Sequence, residues 1–338
     1  MKKYWILILS VLLALAFFSG CGKGAAKPAA SHTEVKKIKI VTTIFPEYDW
    51  VKNIMGDKFS QAEVTLLLNN GTDIHSYQPT IQDMMKVSDA DLFIYVGGES
   101  DQWVTKALQE SRNKNRQVVN LLEVLGSKVK TEEEEENGQG GLETSATGKS
   151  PSAHKDEKEP DKDEHVWLSL QNAQILCTAI AKSLSTVDPT NAPVYAANLK
   201  KYEEQLIALD KAYADVLEGK QQKVLIFGDR FPFRYLFDDY GLKHYAAFAG
   251  CSAETEASFK TIRFLAGKLD ALGLHNIFTI EKSDQKIAKT IVKTTGKQDQ
   301  KILALNSLQA TTAKDIAGGA TYLGIMKDNL TVLQEGLQ

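Results

Sequence analysis

The chain has 338 residues, and its 40 basic and 43 acidic side chains leave a net charge of −3. Because acidic and basic side chains nearly balance, the composition does not indicate the strongly basic surface that binds nucleic acid. A nucleic-acid partner is therefore not expected. The length suggests two domains or one large one. Apart from Cys21, the only cysteines are Cys177 and Cys251, which lie in different halves and are predicted to stay unpaired.

The first 21 residues have the layout of a bacterial export signal. Two lysines precede an apolar run over residues 4–18, which is too short for a typical membrane span. Phe18-Ser19-Gly20-Cys21 resembles a lipobox, in which the cysteine is lipidated and becomes the first residue of the mature protein. We therefore predict a lipoprotein signal peptide at 1–21 and a tether at 22–35, which would anchor an extracytoplasmic protein to the cell membrane through Cys21. The alternative is an ordinary signal peptide or a retained anchor.

Strand-like apolar runs alternate with amphipathic helical patterns along the rest of the chain. Between the first two runs, Phe45-Pro46-Glu47 is expected to break the chain before a helix from about Tyr48 to Met55. Such alternation predicts an α/β fold, with mostly parallel sheets flanked by helices. The runs cover residues 37–44, 64–68, 91–96 and 117–121 in the first half, and 223–227, 244–248, 276–281 and 301–306 in the second.

A long amphipathic pattern separates the two halves. It runs from Pro193 to about Leu217 and predicts a single helix that could join two lobes rigidly. We therefore expect an N-terminal α/β lobe at residues 36–190, a linking helix at 191–219 and a C-terminal α/β lobe at 220–338.

Residues from about 130 to 163 interrupt the alternation of predicted strands and helices. Five consecutive glutamates, Glu132–Glu136, are followed by Gly, Ser and Thr and then by alternating Lys, Asp and Glu around His154. The segment has too few apolar residues to offset the entropy of ordering it, so a disordered acidic insertion is predicted. It is either a solvated spacer or a weak, exchangeable collector of divalent cations.

Four polar side chains lie where parallel sheets bind ligands. His75, Asp229 and Glu281 each come just after a predicted strand, and His165 comes just before a helix. Loops at the carboxyl ends of parallel strands line a common crevice. Two imidazoles and one or two carboxylates converging there would form a four-coordinate site that suits Zn²⁺ and tolerates Mn²⁺.

Each of these residues also has a simpler possible role. A histidine in a loop can be merely solvated or structural. Asp229 can cap the helix that follows it. Glu281 can form an ion pair with Lys282 or Lys286.

Four short motifs stand out along the chain. They are Gly71-Thr72-Asp73-Ile74-His75-Ser76-Tyr77-Gln78-Pro79, Ala90-Asp91-Leu92-Phe93-Ile94-Tyr95, Glu164-His165-Val166-Trp167-Leu168, and Phe233-Arg234-Tyr235 followed by Tyr240-Gly241-Leu242. Together they resemble the zinc and manganese solute-binding lipoproteins of ABC importers, the ZnuA/TroA type, over about residues 36–337. The resemblance implies two α/β lobes joined by one long helix, a metal ion in the cleft and its delivery to a membrane permease.

The resemblance also implies which residues bind the metal. By motif, His75 and His165 carry over as ligands. The third ligand of the family would fall on Arg230, which cannot bind a cation, and Asp229 is its nearest substitute. A late aspartate of the family falls near residues 308–311, where no carboxylate occurs. The other carboxylates that compete to complete the site are Glu281, Glu254 and Glu256.

These features favour high-affinity capture of Zn²⁺ outside the cytoplasm and its delivery to an ABC-type permease. Affinity is expected to fall as the two histidines protonate in the mildly acid range. The alternatives are a Mn²⁺-specific protein of the same type, or a surface adhesin or metal sensor. A zinc hydrolase is disfavoured because the sequence has neither an HExxH motif nor a nucleophile elbow, so no enzyme is expected. We expect a monomer held at the membrane by its lipid anchor.

Overall fold

Two parallel sheets of four strands each organise the residues described by the computed structural model, 37–131, 162–248 and 257–337. The first sheet contains Lys39–Thr42 (β1), Glu63–Leu66 (β2), Leu92–Tyr95 (β3) and Gln117–Asn120 (β4), in the order β2-β1-β3-β4. Every pairing in it is parallel. All four side chains of β3 are buried, as expected for a strand covered on both faces.

The second sheet repeats this arrangement. Its strands are Val224–Phe227 (β5), Lys243–Ala246 (β6), Asn276–Ile280 (β7) and Lys301–Leu305 (β8), in the order β6-β5-β7-β8 and again all parallel. In each sheet the direction of strand addition reverses, between β1 and β3 and between β5 and β7. Loops at such reversal points line the ligand crevice of open α/β sheets.

Helices cover both sheets and connect them. In chain order they are Phe45–Met55 (α1), Ile81–Asp89 (α2), Trp103–Gln109 (α3), Leu121–Leu125 (α4), Leu170–Val187 (α5), Ala192–Glu218 (α6), Arg234–Asp239 (α7), Phe259–Leu272 (α8), Lys286–Thr294 (α9), Ala313–Ala317 (α10) and Tyr322–Gly336 (α11). None of the helices in the described ranges is long and apolar enough to cross a lipid bilayer. The predicted α/β fold, with two mostly parallel sheets and one long helix between them, is confirmed.

Helix α6 is the long connection between the two sheets. Its 27 residues extend for about 40 Å at 1.5 Å per residue. It packs against α1 and α5 of the first half and against α11 of the second. Tyr213 in α6 donates a hydrogen bond to the carbonyl of Met326 in α11, at 2.5 Å. Residues on both sides of α6 therefore share one hydrophobic core.

Helix α11 crosses back to the first half. The backbone N–H of Tyr322 donates to Asp49 Oδ2 at 2.9 Å, and its hydroxyl donates to the carbonyl of Trp167 at 2.6 Å. The Trp167 indole N–H donates in turn to the carbonyl of Ser307, at 2.9 Å. Three buried hydrogen bonds thus connect the last helix and the loop after β8 to the first half of the chain.

Helix α1 begins three residues earlier than the sequence predicts. Phe45-Pro46-Glu47 was expected to break the chain, yet it forms the first turn of the helix. Proline is well tolerated there because its missing N–H would have no partner in the first turn. The Glu47 side chain reaches back to accept hydrogen bonds from the backbone N–H groups of Thr43 and Ile44, at 2.8 and 3.2 Å.

The predicted insertion has well-defined edges. Thr131 and Lys162 form an antiparallel bridge, and the N–H of Asp163 donates to the carbonyl of Lys130 at 2.9 Å. Arg234 of α7 donates to the carbonyl of Thr131 at 2.5 Å. The rest of the predicted insertion lies outside the described residues, as do the signal peptide, the tether, Cys21, Cys251, Glu254 and Glu256. Cys177 is a buried free thiol.

Candidate metal centre

His75 lies in a short 3₁₀ turn that follows β2. Asp73 begins this turn, Ile74–Ser76, and its Oδ1 accepts a hydrogen bond from the backbone N–H of His75 at 3.0 Å. Ile74 is buried and anchors the turn in the core. The His75 side chain remains 25% exposed, so it is held firmly while keeping access to solvent.

His165 precedes a second 3₁₀ turn, Val166–Leu168, whose three side chains are buried. Asp163 lies two residues before it, and its Oδ1 accepts hydrogen bonds from both the backbone N–H and ring Nδ1 of His165, each at 2.9 Å. Burial opposes ionisation of Asp163, but the hydrogen bonds from His165 outweigh it and lower the pKa of this carboxyl. Because an ionised carboxylate only accepts hydrogen bonds, it holds the ring proton on Nδ1 and leaves Nε2 to bind a metal ion.

The two imidazoles meet through their Nε2 atoms. These atoms lie 3.3 Å apart, and the ring centroids are separated by 5.3 Å. Two nitrogens at 2.0–2.1 Å from a tetrahedral Zn²⁺ are themselves about 3.3 to 3.4 Å apart. The spacing of the pair is therefore that of two ligands of one tetrahedral ion.

His75 is kept neutral in this environment. Burial lowers the pKa of its imidazole to about 4, helped by His165 and Arg230 and opposed by Asp73 and Asp163. An imidazole must be deprotonated to bind a metal. The surroundings of His75 therefore favour the neutral form that binds a metal ion.

Asp229 and Glu281 lie in loops that leave β5 and β7, as predicted, but their carboxylates have other partners. Asp229 accepts hydrogen bonds from the Ser283 hydroxyl at 2.5 Å and from the backbone N–H of Arg230 at 2.9 Å. Glu281 accepts from the N–H and hydroxyl of Ser307, at 2.7 and 2.8 Å, and from a third donor, the N–H of Ala310, at 3.3 Å. Within the described ranges, no three or more His, Cys, Asp or Glu side chains are grouped so as to hold a metal ion. The structure thus brings the two histidines together without either carboxylate.

Arg230 reaches the histidine pair from the second half. Its guanidinium forms an ion pair with Asp73 Oδ2 at 2.9 Å, while the other oxygen of Asp73 binds the backbone of His75. Arg230 therefore contacts the loop that carries His75. This ion pair joins the two halves directly beside the imidazoles.

Three further residues support the imidazoles and were not predicted from the sequence. Asp163 binds His165, as described above, and Ser100 and Glu164 stand behind His75. The Ser100 hydroxyl lies 2.8 Å from His75 Nδ1, and Glu164 Oε2 lies 3.6 Å from the same nitrogen. A repeated Asp-x-His pattern, at residues 73–75 and 163–165, was the available signal for the aspartates. No local pattern points to Ser100.

Residues 40–336 match the family model for ZnuA, the periplasmic component A of the zinc-uptake complex. The chain belongs to this family. Among its relatives is the zinc-binding lipoprotein AdcA of Streptococcus pneumoniae, which is 32% identical over 299 residues; the match covers 88% of this chain but only 56% of AdcA. The high-affinity zinc uptake system protein ZnuA of Bacillus subtilis is 28% identical over 337 residues and is covered to 99%.

A solved structure extends the similarity to the fold. The Zn(II)-bound ZnuA-like domain of S. pneumoniae AdcA superposes with a TM-score of 0.67 at 30% identity, covering 89% of this chain and 99% of that domain. The chain spans little more than half of full-length AdcA and so corresponds to its ZnuA-like part. The resemblance inferred from the four motifs is confirmed.

Proposed function

We propose that this protein captures Zn²⁺ outside the cytoplasm and delivers it to an ABC-type permease, with His75 and His165 as two of the ligands. The observation that carries the proposal is the 3.3 Å separation of the two Nε2 atoms. When both rings carry their proton on Nδ1, two nitrogen lone pairs face each other at this distance. A bound cation converts that repulsion into two coordinate bonds. Membership of the ZnuA family supports the same cargo.

Zinc is the proposed ion in preference to manganese. Two imidazoles in tetrahedral spacing suit Zn²⁺, whereas Mn²⁺ favours a larger number of oxygen ligands. We further propose that Asp229 and Glu281 complete the coordination from the second half, which would require each to release its present hydrogen bonds. Elemental analysis of protein purified without added metal tests the choice of ion, and manganese in excess over zinc would contradict it.

Replacement of a proposed ligand tests the site. His75→Ala is expected to weaken Zn²⁺ binding by more than about 100-fold. Replacing even a residue that only hydrogen-bonds to a metal ligand lowers metal affinity about 10- to 100-fold. Titration calorimetry measures the change. His275→Ala is the matched control, because His275 is exposed at the other end of the second sheet, just before β7. Equal affinity of the His75→Ala and wild-type proteins would remove His75 from the site.

The proposed setting is the outer face of a bacterial cell membrane. We propose that Cys21 is lipidated and that the mature, monomeric protein is held there by this anchor. The family name supports a location outside the cytoplasm. Cys21→Ala is expected to move the protein from the membrane fraction to the soluble fraction, and an unchanged distribution would contradict the anchor.

A further inference from the structure

The two histidines have the same backbone support but different support for their rings. Each follows an aspartate by two residues, and in both cases that aspartate accepts a hydrogen bond from the histidine backbone N–H. Asp163 also accepts from the ring of His165. No such bond joins Asp73 to the ring of His75 in the described residues: its Oδ1 binds the His75 backbone and its Oδ2 is paired with Arg230. The ring of His75 therefore depends on other residues for its orientation.

Ser100 contacts the His75 ring but does not determine where its proton lies. The Ser100 hydroxyl is 2.8 Å from His75 Nδ1. A hydroxyl can donate to an imidazole nitrogen or accept from it equally well. If it donated to Nδ1, the ring proton would lie on Nε2 and would block metal binding there. His165 Nε2, 3.3 Å from His75 Nε2, would accept a proton from it in the metal-free protein, so a further group has to favour the tautomer with the proton on Nδ1.

Glu164 lies where it can favour one tautomer of His75 over the other. It is only 4% exposed, its Oε1 accepts a hydrogen bond from the backbone N–H of Ser100 at 2.8 Å, and its Oε2 lies 3.6 Å from His75 Nδ1. In the described part of the chain, Oε2 is a buried oxygen without a hydrogen-bond donor. A buried carboxylate oxygen is stabilised by a proton on the nearest ring nitrogen, or by a Ser100 hydroxyl that turns its own proton toward it. Either arrangement favours the tautomer of His75 that has its proton on Nδ1.

The backbone around Glu164 leaves room for its carboxylate. Gly97 and Gly98 both have positive φ angles, of 95° and 84°. A Cβ atom on Gly98 would overlap the Glu164 carboxylate. The loop after β3 thus lets this side chain approach Ser100 and His75 closely, in a conformation that other residues rarely adopt.

We propose that Glu164 is a positioning residue that keeps the proton of His75 on Nδ1, so that Nε2 is available to the metal ion. Glu164 does for His75 what Asp163 does for His165, and two consecutive carboxylates then serve the two ligands. This inference rests on the metal site proposed above. Its test, however, begins with the metal-free protein and does not depend on zinc binding.

The tautomers can be read directly by NMR. In metal-free wild-type protein labelled with ¹⁵N-histidine, at pH 7.5, long-range ¹H–¹⁵N spectra are expected to show the His75 proton on Nδ1. The His75→Asn spectrum assigns the signals. A proton found predominantly on Nε2 of His75 in the wild-type protein would overturn the proposal without any change to Glu164.

Glu164→Gln replaces the hydrogen-bond acceptor near His75 Nδ1 with a donor. The Ser100 N–H would retain the amide oxygen at the Oε1 position, so the amide NH₂ would face His75 as a donor. The His75 proton is expected to move toward Nε2, while the His165 signals keep their wild-type pattern. Zinc affinity is expected to fall about 10-fold. Glu123→Gln, at an exposed position, is the matched control and is expected to change neither quantity.

Ser100→Ala distinguishes the contribution of Glu164 to the His75 tautomer from that of Ser100. It removes the hydroxyl but keeps the backbone N–H that binds Glu164, so the proposal expects the proton to remain on Nδ1 of His75. A proton that moves to Nε2 in Ser100→Ala but stays in place in Glu164→Gln would assign the tautomer to Ser100 and overturn the proposal. If zinc fails to bind while the tautomers behave as expected, the proposed function fails, and what stands is that Glu164 sets the tautomer of His75.

Discussion

At the scale of single residues, Arg230 places a fixed positive charge beside the two histidines proposed as ligands. A guanidinium cannot bind a metal ion, and this one lies close enough to lower the pKa of His75. Asp73 neutralises it through an ion pair that is 20 to 28% exposed. The pair therefore allows a cation to approach the imidazoles despite a fixed positive charge beside them.

Removing one partner of this ion pair should change the affinity for zinc. Asp73→Asn keeps the acceptor for the His75 backbone but leaves Arg230 uncompensated, so zinc binding is expected to weaken about 3- to 10-fold. Arg230→Met removes the positive charge and is expected to strengthen binding by a similar factor. Competition with a chromophoric chelator measures both, and the double variant is expected to return close to the wild-type affinity. A double variant as weak as Asp73→Asn alone, or no change in either single variant, would show that the ion pair does not act on the site.

At the scale of elements, the first turn of α1 contains a carboxyl group that is fully buried. Burial, reinforced by nearby Asp101, raises the pKa of Glu47 to about 8, although hydrogen bonds from Thr43 and Ile44 oppose the rise. In the unfolded chain the group ionises near its ordinary pKa of 4.5. Between these two values the folded state holds a proton that the unfolded state has released. Stability is therefore lost as pH rises through this window.

Glu47→Gln should remove that loss. The amide resembles the protonated carboxyl in shape, so the free energy of unfolding of the variant relative to wild type is expected to rise by up to about 1.4 kcal/mol per pH unit between pH 5 and 7.5. Urea unfolding at the two pH values measures it. Glu63→Gln, on the exposed start of β2, is the control and should not show the trend. Parallel pH profiles for wild type and Glu47→Gln would contradict a proton held by Glu47 in the folded state.

The elements were predictable where burial itself determines the sequence. Buried parallel strands need continuous apolar runs, so all eight strands of the described ranges could be recognised. The start of α1 was missed because Pro46 was interpreted as a break, whereas a first turn accepts proline. His75 and His165 could be recognised from their motifs and positions beside apolar runs. Ser100 and Glu164 could not, because they lie 25 and 64 residues from the partners they contact. Only the folded sheet brings them together.

At the scale of the whole molecule, the two halves are joined by more than the linking helix. One hydrophobic core contains residues of both sheets. Across the halves, the Tyr322 hydroxyl donates to the carbonyl of Trp167, and the Trp167 indole donates to the carbonyl of Ser307. Tyr235 in α7 donates to the carbonyl of Asp163 at 3.0 Å. An opening of the cleft by a large hinge rotation would break all of these contacts together.

We therefore expect metal binding to leave the overall dimensions nearly unchanged. The radius of gyration from small-angle X-ray scattering should differ by less than about 1 Å between the metal-free and zinc-loaded protein, because the halves are already packed together. His75→Ala with the same amount of zinc is the control for effects of the metal outside the site. A contraction of about 2 Å or more that is absent in His75→Ala would show a hinge closure instead.

The bridge between Thr131 and Lys162 brings the two ends of the predicted insertion together a few residues before His165. The insertion begins and ends at adjacent, hydrogen-bonded residues. The stability of the fold should therefore depend little on the number of residues between them. Doubling the length of such an excursion adds only about 0.6 kcal/mol of closure entropy. We therefore expect the described fold, including the position of His165, to tolerate replacement of residues 132–161 by other sequences.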